Sequence, residues 1–133
     1  MWKTTDGGTT WTPLTDTGPA ISTGAVGSIA LDPNNSNIVY VGLGEENFSS
    51  DSYYGYGILK STDAGASWTL VSPEIFSRSR IGRIAVDPNN SSILYAAVCV
   101  QSASTAGIAK TPMGVPPGLR PHWAAYAVRS RTW

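Results

Sequence analysis

The chain of 133 residues contains one cysteine, Cys99, and one histidine, His122. A disulfide within the chain needs two cysteines and a structural zinc site needs several thiols or imidazoles, so neither staples this fold. No metal and no cofactor is expected. Charge is scarce too: Asp, Glu, Lys and Arg make up 14% of the residues, against about a quarter in an ordinary soluble domain. Nine basic side chains balance nine acidic ones, which leaves no net field to draw the chain to nucleic acid or to an anionic membrane. No apolar run reaches the roughly 18 residues of a membrane-spanning helix. The N-terminus also lacks a charged head followed by an apolar core and cleavage site. Met1 leads straight into Trp2-Lys3-Thr4-Thr5-Asp6 and reads as an internal start, in the middle of a structural unit.

Glycine (14 residues), serine, threonine, asparagine and five tryptophans are abundant instead. They suit short strands joined by tight turns. The length allows one ordinary core, or part of a larger one. Repetition redefines that prior. The segment around Asp6, Lys3-Thr4-Thr5-Asp6-Gly7-Gly8-Thr9-Thr10-Trp11-Thr12, returns 57 residues later as Lys60-Ser61-Thr62-Asp63-Ala64-Gly65-Ala66-Ser67-Trp68-Thr69. A second motif, Gly27-Ser28-Ile29-Ala30-Leu31-Asp32-Pro33-Asn34-Asn35, returns 55 residues later as Gly82-Arg83-Ile84-Ala85-Val86-Asp87-Pro88-Asn89-Asn90. The two interleave with one period.

Alternation and punctuation divide each repeat into four strands. Strand A covers 27–31, an Asp-Pro-Asn-Asn turn follows, and strand B covers 38–42. A long loop over 43–55 precedes strand C at 57–61, and a turn over 62–66 leads into strand D at 67–71. Four antiparallel strands recurring about every 50 residues is the blade pattern of a propeller. The expected class is all-β, a partial β-propeller of four-stranded antiparallel blades. Residues 1–25 then hold strands C and D of one blade with a linker, 26–80 a complete blade, and 81–111 the start of a third. A ring closes with about four to eight blades, so this set leaves blade faces and strand edges open to self-association or to a protein partner.

Both repeated turns, Thr4-x-Asp6-x-Gly8-x-Thr10-Trp11 and Ser61-x-Asp63-x-Gly65-x-Ser67-Trp68, resemble the Asp box (BNR repeat). The resemblance spans residues 1 to 111. It is shared by bacterial sialidases, xyloglucan-active endoglucanases, sortilin-type receptors and a photosystem II assembly factor, and the xyloglucanase-like and sortilin-like groups are the most similar. Elementary chemistry explains the box. A carboxylate in a tight hairpin accepts backbone N–H bonds, glycine permits positive φ, and the hydroxyls tie the ends. Asp6 and Asp63 are therefore turn formers rather than a glycosidase pair, as are Asp32 and Asp87. Trp11 and Trp68 are expected to wedge against the blade body, and Cys99 to be a small buried hydrophobe on a strand.

In an up-and-down blade the A-to-B and C-to-D turns share one end, and the B-to-C and D-to-A connections share the other. The resemblance implies ligand binding at that second end, where the loop over 43–55 lies. Glu45, Glu46, Asp51, Tyr53, Tyr54 and Tyr56 gather there, with Phe48 among them. Acids beside aromatic rings suit a carbohydrate, since rings stack on pyranose faces and carboxylates bond hydroxyls. The alternative is a solvated loop whose tyrosines anchor on the next blade. Arg78, Arg80 and Arg83 offer a lesser anion site beside it. No catalytic residue is assigned.

The third repeat starts with Gly107-Ile108-Ala109-Lys110-Thr111, matching Gly57 to Ser61, but its box is missing. The genetic code accounts for the replacement. A stretch ACC GAT GGG GGT GCC ACC TGG ACT CCG ACC encodes an Asp box; read one base later it encodes Pro112-Met113-Gly114-Val115-Pro116-Pro117-Gly118-Leu119-Arg120-Pro121. Residues 112–133, with His122 among them, thus read as an out-of-frame tail without strand pattern; the DNA around the Thr111 codon decides the matter. The leading functional expectation is a structural or binding fragment of a secreted Asp-box propeller without catalysis of its own, its parent extracellular or periplasmic. The alternatives are a piece of a glycoside hydrolase acting on polysaccharide, and a protein-binding propeller.

Overall fold

A computed structural model describes residues 1–15, 24–46, 51–71, 76, 78–99, 107–112 and 124–126. Ten strands are present among them: β1 (Trp2–Lys3), β2 (Thr12–Pro13), β3 (Val26–Asp32), β4 (Asn35–Leu43), β5 (Ile58–Ser61), β6 (Thr69–Val71), β7 (Arg80–Asp87), β8 (Asn90–Cys99), β9 (Gly107–Pro112) and β10 (Ala124–Tyr126). They form a two-stranded sheet, β1-β2, and two four-stranded sheets ordered β3-β4-β5-β6 and β7-β8-β9-β10. Every pairing is antiparallel. The architecture is all-β, and each four-stranded sheet runs in chain order, every strand antiparallel to the one before it.

Strands A and B run longer than the alternation suggests, because both members of the β3–β4 hairpin continue to the Asp32↔Asn35 pair. Strand D is shorter and starts at Thr69, since the box turn holds Ser67 and Trp68 outside the ladder. The sequence-based expectation of a tail without strands departs from the structure at four described residues, Pro112 at the end of β9 and the three of β10. Strand β10 lies in that tail and pairs with β9 from Ala124↔Lys110 to Tyr126↔Ile108. Strand β10 thereby satisfies backbone groups of β9 on the side away from β8.

Side chains alternate along each strand, so each sheet has two apolar faces and the core lies between sheets. Tyr40 and Ile58 of one sheet pack with Ile81, Ile84, Leu94, Ala96, Val98 and Ala109 of the next. On the other face of the first sheet, Val41, Leu43, Leu59 and Trp68 pack with Met1 and Leu14, which flank the strands of the small sheet. Close approach is possible where side chains are missing. A methyl group on Gly42 would lie 2.5 Å from Ile81 Cγ2, and one on Gly27 would lie 2.5 Å from the Ile81 carbonyl oxygen.

Polar staples fix the angle between the sheets. The Ile84 amide donates to Ser28 Oγ at 3.0 Å. At the turn end, Asn34 Nδ2 donates to the Pro88 carbonyl and to Ser91 Oγ, and Ser91 Oγ donates to Asp32 Oδ1 at 2.8 Å. The Ala64 amide donates to the Asn37 carbonyl, which ties the box turn to the A-to-B turn at the same end of the sheet.

Candidate functional site

The box turns explain their own composition. In the second, Asp63 Oδ1 accepts from the Ser61 hydroxyl at 2.7 Å and from the Ser67 amide at 2.8 Å, while Oδ2 accepts from the Ser67 hydroxyl. Ser61 Oγ in turn accepts from the Asp63 and Gly65 amides. Asp6 repeats the pattern with Thr4 and Thr10, and Thr4 Oγ1 accepts from the Gly8 amide at 2.8 Å. The hydroxyl of Ser67, its amide and the hydroxyl of Ser61 lower the Asp63 carboxyl from 3.8 to about 2, and Thr10 leads the same effect on Asp6. A carboxylate so committed is a poor proton donor. Gly8 and Gly65 have φ of 96° and 93°, conformations that a side chain would strain.

The two tryptophans differ. Trp68 is buried, and its Nε1 donates to the Leu14 carbonyl at 2.9 Å. Trp11 is 56% exposed, and its indole donates inside its own turn, to the Gly8 carbonyl. The expected wedge therefore forms for Trp68 and not for Trp11. Leu14 follows β2 directly, so the small sheet brings it over Trp68.

At the opposite end of the sheets, the loop after β4 is fastened by its backbone. The Glu45 amide donates to the Tyr53 carbonyl, Gly44 to Ala25, Gly55 to Ser79, and Leu43 to Gly57. Gly55 has no room for a side chain, since a methyl there would run into the Leu43 carbonyl. This fastening presents Asp51, Tyr53, Tyr54 and Tyr56, with Arg78 from before β7, around an open cavity of about 480 Å³. Tyr53 and Tyr56 are exposed, and Tyr54 is half-buried beneath two guanidinium groups. The carbon centres of these groups, in Arg80 and Arg78, lie 4.6 and 5.8 Å from its ring centroid. Such stacking holds the ring still and leaves its neighbours facing solvent. Phe48 lies outside the described residues.

The acids of the loop part company. Glu46 turns away from the tyrosines, and its carboxylate fills the space above Gly82 that a side chain would otherwise take. There it accepts from Cys99 Sγ at 2.8 Å. Cys99 is half-buried rather than fully buried, and sequence reading offered no sign of this partner 53 residues away. Desolvation, then the Glu46 hydrogen bond and charge, push the thiol from 9.0 up to about 11 against an opposing pull from Arg80. The folded state thus favours the neutral thiol, and that contribution is complete below pH 9.0 and lost as pH rises toward 11. Alkylation by iodoacetamide near pH 8 is expected to run about a hundredfold slower than for an unstructured cysteine peptide, from the smaller thiolate fraction. Glu46→Gln should recover several-fold of that rate. Equal rates for protein and peptide would refute the pairing. Arg83 is exposed on β7 in register with Ala97. Among the described residues no three His, Cys, Asp or Glu side chains gather as a metal site would require.

Side-by-side antiparallel sheets whose outer hairpins close on Asp boxes define part of an Asp-box propeller. Among solved structures, the GH74 enzyme of Niastella koreensis superimposes with a TM-score of 0.56 and 26% identity, covering 84% of this chain and 16% of that one. In sequence, the chain is 36% identical over 95 residues to a xyloglucanase of Hypocrea jecorina, covering 64% of this chain and 11% of the relative. It is 37% identical over 95 residues to xyloglucanase Xgh74A of Acetivibrio thermocellus, with 65% and 11% covered. A Paenibacillus xyloglucanase shares 38% over 93 residues, with 64% and 9% covered. The chain is therefore homologous to a segment of GH74 xyloglucanases. It spans about a tenth of the length of the curated relatives it matches. No family model matches it.

Proposed function

We propose that the chain is a segment of a polysaccharide-active propeller whose B-to-C loop holds part of a β-glucan chain, without completing a catalytic centre. The observation that carries this reading is the cavity bordered by Tyr53, Tyr54, Tyr56, Asp51 and Arg78 in a chain homologous to xyloglucanases. Exposed rings on a fastened loop offer flat apolar faces to pyranose rings, while the carboxylate and guanidinium bond hydroxyls around their rims. Catalysis is assigned to residues beyond these. Asp6 and Asp63 are spent on their turns, and Glu46 is engaged with Cys99, so none of the three serves as an acid or base of a glycosidase pair.

Titration of the chain with xyloglucan oligosaccharides, followed by ligand-observed NMR, tests the reading. Binding with a Kd of about 0.1 to 1 mM is expected, weaker by about threefold to tenfold in Tyr53→Ala and in Tyr56→Ala. Both rings are exposed, so these variants should keep the wild-type circular dichroism. Absence of any transfer signal at about 10 mM sugar, a concentration at which even millimolar binding is nearly saturated, would overturn the proposal. So would binding that both variants retain in full.

A further inference from the structure

We propose that the cavity beside Tyr54 prefers an acidic sugar, with Arg78 as the residue that reads a uronic acid carboxylate on the bound oligosaccharide. The inference rests on the β-glucan site proposed for this loop and narrows the class of glycan it takes. Its residues come from the loop between β4 and β5 and from the entry to β7. The Gly55 amide joins these two segments by donating to the Ser79 carbonyl at 2.8 Å.

Charge of one sign gathers there. Arg80 and Arg78 both stack on the Tyr54 ring, their guanidinium carbons 4.6 and 5.8 Å from its centroid. Among the described residues neither arginine side chain forms an ion pair or a hydrogen bond, and Arg80 Nε is buried without an acceptor. Asp51 borders the same cavity but does not pair with Arg78, and Glu46 is engaged with Cys99. Two guanidinium charges therefore face a single carboxylate at the cavity, and an arriving anion relieves their repulsion. A guanidinium gives a planar carboxylate two parallel N–H bonds, a match that a sugar hydroxyl cannot make.

The backbone holds Arg78 in place at a cost. The Ser79 amide donates to the Phe76 carbonyl at 3.1 Å, closing a four-residue turn over 76–79. Phe76 and Ser79 are both buried, so the turn is anchored at its two ends. Arg78 takes the third position with φ of 59°, where glycine or asparagine relieves strain and arginine does not. Of the described non-glycine residues, Ala64 alone shares a positive φ, and it stands in the box turn at the position of Gly7. Arg78 answers to no such repeated turn. A strained residue whose side chain borders a cavity points to a role in what the cavity holds.

Titration of the full chain with a cello-oligosaccharide, and with the same oligosaccharide carrying one glucosyl unit oxidised at C6 to glucuronic acid, isolates the carboxylate. By ligand-observed NMR the acidic sugar is expected to bind about fivefold to tenfold tighter at about 20 mM salt, and the preference should shrink at about 300 mM as mobile ions screen the pair. Arg78→Gln should bind the two sugars alike. Arg78→Lys keeps the charge but loses the fork, and should retain only about a twofold preference. Arg78→Gly relieves the turn, so its urea midpoint should rise while the preference disappears. Equal binding of the two sugars by the wild type would overturn the proposal and leave the β-glucan site standing. A preference that Arg78→Gln or Arg78→Gly keeps would overturn it too. Binding of neither sugar would remove the site and the preference together.

Discussion

Ile81→Ala is expected to lower the unfolding free energy by about 2–5 kcal/mol, the range for truncating a fully buried aliphatic side chain. Ile81 is 0% exposed and lies at the closest approach of the two four-stranded sheets, with Gly27 and Gly42 beneath it. Rigid ladders flank the void on both sides, so little collapse is available to fill it and the cost should fall in the upper half of the range. The same joint resists growth. A methyl at Gly42 would lie 2.5 Å from Ile81 Cγ2 and 2.6 Å from its Cβ, so Gly42→Ala should cost about 1–3 kcal/mol as the sheets are forced apart. The two changes share a contact, and their combined loss should be smaller than the sum of the separate losses. Urea denaturation followed by tryptophan fluorescence measures all three. Full additivity would show that residues 42 and 81 do not press on one another.

The order of strands was readable because every cue for it is local. Alternating Ile29-Ala30-Leu31, the Asp32-Pro33-Asn34 turn and the β-branched run of β4 specify a hairpin without reference to distant residues. What depends on the neighbouring blade was not readable. Trp11 and Trp68 stand in the same motif, yet only Trp68 has a Leu14 to cover it. The loop acids show the same limit. Glu45, Glu46 and Asp51 look alike as a cluster in sequence, but Glu46 is drawn off by the empty space over Gly82 and the thiol of Cys99. That space is the one a side chain at Gly82 would fill, beside a register shift in β7 between Ile81 and Arg83 that no alternation pattern announces. The guanidinium stack on Tyr54 likewise joins the loop before β5 to the start of β7, and the spacing of these residues in sequence conveys nothing of their distance in space.

The repeated box allows one motif to be compared with itself in two surroundings. Ser61→Ala should cost about 2–3 kcal/mol, because it leaves the Asp63 and Gly65 amides without their acceptor in a buried setting and removes a donor from the carboxylate. Ser61 is 1% exposed. Thr4→Ala deletes the same bonds in a turn open to solvent, where water replaces them, and should cost about 0.5–1 kcal/mol. Acid sharpens the comparison. Ser67 first, then Ser61, holds the Asp63 carboxyl near 2 against an ordinary 3.8. A depressed folded value means that the box contributes its full stability above 3.8, and that the contribution fades as pH falls toward 2. With alanine at 61 the carboxyl rises toward its ordinary value, so less of that contribution exists to be lost and the variant's deficit should narrow as pH falls from 4 to 2. Urea midpoints at pH 7, 4 and 2 measure the trend. A deficit independent of pH would place the whole effect of Ser61 on the backbone amides and none on the Asp63 carboxylate.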